Sequence, residues 1–116
     1  MNKLKQVDEL LKKGQPIHEA GINSWAFLKK EALEILNRLE ELNVFILGGD
    51  VYVLSYDFFK PNYDNWYCNR FSNETDIEFT KRSVKTAKDF IMNYNIVDTE
   101  ASQIFFAFVL DEFKND

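Results

Sequence analysis

Val44-Phe45-Ile46-Leu47-Gly48-Gly49-Asp50-Val51-Tyr52-Val53-Leu54-Ser55-Tyr56 is the stretch that decides the fold class. Up to Asn43 the apolar residues recur every three or four positions. From Val44 onward they run together and are rich in β-formers, so the backbone period changes from helix to strand. Two short β runs flank Gly48-Gly49. They read as a hairpin, with the glycines supplying the positive φ of a tight turn and Asp50 ending it. The other reading is one long strand broken by a glycine bulge; the hairpin is the expectation adopted here. A phosphate loop would need glycines leading into a helix N-terminus, and these lead into β-formers and an acid.

On the N-terminal side, Trp25, Leu28, Ala32, Ile35, Leu36, Leu39 and Leu42 form one apolar stripe, which predicts a helix over 24–42. Asn23 or Ser24 is its expected cap and Asn43 its left-handed stop. A shorter helix is expected at 2–13, ended by Gly14 and Pro16, with 15–22 as a connector.

On the C-terminal side, Lys60-Pro61-Asn62 marks 57–64 as a loop, and Asn65–Phe71 reads as a third strand. Thr75-Asp76-Ile77-Glu78 fits a capping box. A helix over 76–94 follows, with Ile77, Thr80, Val84, Ala87, Phe90, Ile91 and Tyr94 on its buried face. Residues 95–102 read as a loop, Ile104–Leu110 as a last buried strand, and the tail from Asp111 as frayed. The expected class is α+β, in the order α-α-β-β-β-α-β. It is a small antiparallel sheet with helices packed mainly on one face.

The 116 residues make one domain, and 46% hydrophobic residues fill one core. Aromatics at 16% are too many for a disordered chain. No apolar run is long enough for a membrane span, and Met1–Gln6 has no signal-peptide character. With a single cysteine, Cys68, the expected location is a reducing cytoplasm. The Lys/Asn/Glu-rich composition points to a bacterial source.

Charge is uneven. Residues 44–79 carry Lys60 and Arg70 against Asp50, Asp57, Asp64, Glu74, Asp76 and Glu78, a balance of −4 within a total of −5. An acidic segment repels phosphate backbones, so direct nucleic-acid binding is disfavoured, while a basic protein partner is attracted. The plainer reading is a solubilising surface.

The same segment holds eight aromatics, Tyr52, Tyr56, Phe58, Phe59, Tyr63, Trp66, Tyr67 and Phe71, more than one sheet face can bury. Either they form a second small core under the 57–64 loop or they form a partner surface. For the partner surface the expected contacts are Asp50, Tyr52, Tyr56, Asp57, Phe59, Tyr63, Asp64 and Trp66.

Catalytic chemistry has little to stand on. His18 is the only histidine and Cys68 the only cysteine, so an enzyme would have to use Asp50 with His18 or Cys68. No metal-ligand spacing is present, and no cofactor is expected.

Gly21-Ile22-Asn23-Ser24-Trp25-Ala26 before a long helix, the run Gly48–Tyr52, Trp66-Tyr67, Ser83 inside the last helix and the Tyr94 region follow one another in order. Together, over residues 15–110, they resemble the immunity protein 40 family of bacterial polymorphic toxin systems. The resemblance implies a cytoplasmic antidote that binds a cognate protein toxin. Many such toxins are basic and act on nucleic acids, which an acidic aromatic face would complement. The resemblance carries over no catalytic residues. A non-toxin interaction domain and a small enzyme are the competing readings.

Overall fold

A computed structural model describes residues 2–19, 22–97, 99 and 102–111, with the side chains of all but residues 18, 19, 22 and 23. The elements are α1 (Lys3–Leu11), β1 (Gln15–Glu19), β2 (Ile22–Phe27), α2 (Lys29–Glu41), β3 (Ile46–Ser55), β4 (Phe58–Tyr67), α3 (Asp76–Asn93) and β5 (Ser102–Leu110). The class is α+β, as expected, and the expected helices and strands keep their expected sequence along the chain. The inventory differs in three places.

The first difference is the pair β1 and β2, which occupies the expected connector and the first turn of the expected helix 24–42. Its register runs from Gln15 opposite Ala26 to Glu19 opposite Ile22. Pro16 disguised β1, but β1 lies at the sheet edge, where a residue without an N–H is tolerated. Trp25 continued the helical stripe only by coincidence of spacing. The helix starts at Lys29 behind Leu28, which makes no side-chain cap, so neither Asn23 nor Ser24 fills that role. The other end matches the expectation: Asn43 takes a φ of 58°.

The second difference is the Gly48-Gly49 hairpin, which does not form. β3 runs straight through both glycines, with register shifts between Ile46 and Gly48 against β5 and between Asp50 and Tyr52 against β4. The glycines serve close approach rather than a turn. A Cβ on Gly49 would lie 2.1 Å from Trp66 Cη2 and 2.5 Å from the Ala107 carbonyl oxygen, and one on Gly48 would lie 2.3 Å from the Trp66 carbonyl oxygen. The bulged long strand is the reading that holds.

The third difference follows from the second. The chain reverses at Tyr56-Asp57, both at positive φ, as primed hairpin turns require. The expected 57–64 loop is therefore the first part of β4, and the expected strand 65–71 ends at Tyr67.

α3 starts where the capping box placed it. Thr75 Oγ1 accepts from the Glu78 N–H at 3.1 Å and Glu78 Oε1 accepts from the Thr75 N–H at 2.9 Å. Thr80, Val84, Ala87 and Ile91 are buried, together with Phe79 and Ser83. Ile77 is instead 61% exposed, because the buried stripe lies on the Phe79 side of the first turn. Ser83 Oγ donates to the Thr80 carbonyl and accepts from the Ile46 N–H at 3.0 Å, docking α3 on the start of β3. Of the expected 95–102 loop, Thr99 forms a bridge with Ser102; residues 98, 100 and 101 lie outside the described set, as does the tail at 112–116.

The sheet order is β1-β2-β5-β3-β4, antiparallel throughout. Side chains alternate across it. Phe27, Val51, Trp66 and Phe106 point to the side of the three helices and share their core with Leu36, Leu39, Val84 and Ile91. Ile17, Ala26, Phe105 and Ala107 point the other way and cluster with Tyr52, Leu54 and Phe59. None of the three helices covers this second face; it is uncovered in that sense only, since Ile17, Ala26, Phe105 and Ala107 are buried within it and Tyr52, Leu54 and Phe59 are half-buried.

Candidate interaction surface

The uncovered face is built by register. Across β5, Asp50 lies opposite Ala107, Tyr52 opposite Phe105 and Gly48 opposite Val109. Across β4, Asp50 lies opposite Asn65, Tyr52 opposite Pro61, Leu54 opposite Phe59 and Gly48 opposite Tyr67. Directly paired residues of an antiparallel sheet share a face. Phe59 meets Phe105 edge-on at 5.1 Å between ring centroids. The result is an apolar floor with Asp50 exposed on it and two exposed apolar side chains near one end, Tyr67 and Val109.

The expected contact residues thus separate into four places. Asp50, Tyr52 and Phe59 come together on the uncovered face. Tyr56 and Asp57 form the hairpin tip and are exposed. Tyr63 and Asp64 sit in the β4 irregularity. Trp66 belongs to none of these. It is 7% exposed, stacks on Phe90 at 4.8 Å and meets Phe108 edge-on at 6.3 Å, so its side chain is part of the core. Its indole lies over Gly49, which is why that position has no side chain. Its Nε1–H is buried without a hydrogen-bond partner among the described residues.

Tyr67 and Val109 were not among the expected contacts. The signal for Tyr67 was present: with 57–64 read as strand, the alternation of β4 puts Tyr67 on the face opposite to Trp66.

The β4 irregularity has a definite cause. Tyr52 pairs with Pro61 and Asp50 with Asn65, so Val51 faces residues 62–64. Tyr63 absorbs the extra length with a φ of 70°. On either side of it, Asn62 Nδ2 donates to the Tyr94 hydroxyl at 3.0 Å, and that hydroxyl donates to Asp64 Oδ2 at 2.6 Å. Tyr63 itself is 84% exposed. Burial, and the Asp64 carboxylate beside it, push the Tyr94 phenol up to about 12.

The other polar cluster lies beyond β4. Arg82 of α3 donates to Glu74 through Nε at 2.5 Å and through a terminal nitrogen at 2.8 Å, to the Asn69 carbonyl at 2.6 Å and to Cys68 Sγ at 3.1 Å. Its guanidinium also stands 4.0 Å from the centroid of the Phe71 ring. The hydrogen bond from Arg82 holds the Glu74 carboxyl down at about 2. This cluster ties the 68–74 segment to α3.

The Asp50–Cys68 pairing considered for an enzyme is not assembled. Asp50 stands on the uncovered face, whereas the Cys68 thiol lies on the helix side, within 3.8 Å of Thr86. His18 lies on β1 opposite Asn23, and its side chain is outside the described set. Among the described residues no group of three or more His, Cys, Asp or Glu side chains is placed to hold a metal ion. No helix among them is long and apolar enough to cross a membrane.

The model of one protein family, immunity protein 40, matches residues 16–110 of the chain. No curated protein and no solved structure matches it. The match takes in every strand and helix from β1 to β5 apart from Gln15, and leaves out residues 1–15, with α1, and 111–116.

Proposed function

We propose, from the premise that this chain belongs to the immunity protein 40 family, that it neutralises a cognate toxin by binding it, without catalysis, in the cytoplasm of the cell it protects. The family match carries this reading. Its name makes the chain an immunity protein against a toxin. Binding is the mechanism that the chemistry favours, because Asp50 and Cys68 are on opposite sides of the sheet.

The uncovered sheet face supports a partner surface there. Tyr52, Phe59, Tyr67 and Val109 offer apolar area, and Asp50 offers a carboxylate within it. Aromatic side chains set in a desolvated patch carry most of the energy of protein interfaces. The −4 balance of residues 44–79 favours a basic toxin, such as one that acts on nucleic acid.

Co-purification with the product of the adjacent gene tests the reading. Expected is a stable complex and survival of cells making both proteins. Asp50→Lys, on an exposed position, is expected to weaken the complex about tenfold, since reversing a charge at an interface costs on the order of 1–2 kcal/mol. Absence of a complex together with absence of protection would remove the reading.

A further inference from the structure

Four described residues other than glycine have a positive φ: Asn43, Tyr56, Asp57 and Tyr63. Asn43 ends a helix and Asp57 sits in a turn, and both residue types tolerate the left-handed region. Tyrosine does not, because its Cβ crowds the backbone there. The two tyrosines also gain little from packing, being 80% and 84% exposed. A two-residue turn with both φ positive favours Asn-Gly, and this chain has Tyr-Asp instead.

The unfavourable conformation is held in place by its surroundings. At the tip, pairing of Ser55 with Phe58 and of Leu54 with Phe59 leaves only two residues for the reversal. At the bulge, the Tyr94 hydroxyl grips Asn62 and Asp64, so Tyr63 between them stands outward. Strained backbone that the surrounding structure fixes is concentrated at functional positions. The sequence at both places is the same, Tyr56-Asp57 and Tyr63-Asp64: an aromatic ring followed by a carboxylate. Because residues 62–64 bulge opposite Val51, the two units lie about five rungs apart, roughly 17 Å at the rise of a β-strand, which lies within the span of one ordinary interface.

We propose that the two Tyr-Asp units of the β3–β4 hairpin are the anchors that seat the toxin, each receiving an arginine or lysine from a basic groove on it. A guanidinium stacks on a tyrosine face while its N–H groups reach a carboxylate, so one unit satisfies both properties of the cation. The inference rests on the reading of the chain as a toxin-binding protein. It adds a contact element separate from the uncovered sheet face.

The bulge has a rival explanation. β4 is an edge strand, and bulges protect such edges from pairing with other chains. The two explanations differ in what the side chain does. Edge protection needs the irregular backbone, which glycine or asparagine preserves at least as well. Anchoring needs the tyrosine.

The test uses full-length protein in three forms: wild type, Tyr63→Gly, and Tyr56→Asn with Asp57→Gly. Thermal unfolding is measured with calorimetric titration against the adjacent gene product carrying an inactivating substitution. Expected is a higher Tm for both variants, because residues suited to positive φ replace tyrosine. Each is also expected to weaken Kd at least tenfold. Lower Tm in both variants would overturn the strain argument. Unchanged Kd in both would overturn the anchor proposal while leaving toxin binding intact. No binding by wild type would overturn the underlying reading of the function, and the proposal with it.

Discussion

At the scale of single residues, the contact between Gly49 and Trp66 determines more than any catalytic-looking group. The Trp66 indole occupies the place where a Gly49 side chain would be. Gly49→Ala must displace both the indole and the β5 backbone at Ala107, and overpacking of that kind destabilises by about 1–3 kcal/mol. The expected outcome is a lower urea midpoint with an unchanged slope. Trp66→Ala removes a buried aromatic and is expected to lose about 3–5 kcal/mol. It therefore probes folding, and a loss of toxin protection in that variant carries no information about contacts. Ser83 is the other residue of this kind. Ser83→Ala leaves the buried Ile46 N–H without its acceptor, a loss of about 1–3 kcal/mol in the same experiment. Trp66 shows why residue type alone misleads in an aromatic-rich chain. Tyr67 beside it is 74% exposed. Composition treats the two alike, whereas strand alternation separates them once the limits of β4 are known.

Those limits belong to the scale of elements, where the sequence was legible wherever an element carries its own punctuation. Thr75 and Glu78 announce α3, and the structure contains both capping bonds. Thr75→Ala is accordingly expected to lower stability by about 1 kcal/mol in chemical denaturation. Asn43 announces the end of α2. Nothing announces its start, since Leu28 caps through backbone alone, so a stripe of apolar residues ran back into β2. Gly48-Gly49 looked like turn chemistry because the indole that needs the space comes from Trp66, far along the chain. Tyr56-Asp57 did not look like a turn, because it has neither glycine nor asparagine. Lys60-Pro61-Asn62 hid a strand that the edge position permits. Each miss is a case in which tertiary placement outweighed local preference. The grip of Tyr94 on β4 was equally invisible, and it has a pH signature. Its folded-state phenol is raised to about 12 from an ordinary value of 10.0. A group raised on folding contributes stability in full below pH 10, and that contribution disappears as pH climbs toward 12. The fall in stability between those limits should be shallower in Tyr94→Phe than in wild type, as read from unfolding midpoints over the range. Equal slopes would show that the phenol titrates alike in both states.

For the whole molecule, the decisive property is asymmetry. One sheet face is covered by α1, α2 and α3, and the other carries the half-buried Tyr52, Leu54 and Phe59 around the buried Phe105. Three carboxylates of the acidic part lie along the hairpin, Asp50 on the uncovered face, Asp57 at the tip and Asp64 at the bulge, where it accepts from Tyr94; Glu74 and Asp76 instead pair with Arg82 and Arg70 at the start of α3, beside Glu78. Lys60 is the only basic residue on β4, and β3 has none. Such a field acts over a distance before any contact forms, and it acts mainly on the rate of encounter. The Debye length shortens from about 10 Å at 0.1 M salt to about 3 Å at 1 M. A basic toxin approaching the hairpin should therefore associate more slowly as salt rises, whereas dissociation, governed by the packed contacts, should change much less. Stopped-flow association over this range is expected to show a steep fall in on-rate with wild type and a shallower one with Asp50→Lys. Tyr63→Gly should keep the wild-type salt slope and dissociate faster, because it removes a contact but no charge. An on-rate that ignores salt would mean that the toxin is not recognised by its charge, and the acidic hairpin would then be a solubilising surface. A salt-dependent on-rate combined with unchanged dissociation in Tyr63→Gly would keep the electrostatic steering and dismiss the hairpin as an anchor. Rate and residence time thus separate the contribution of the field from that of the two strained tyrosines.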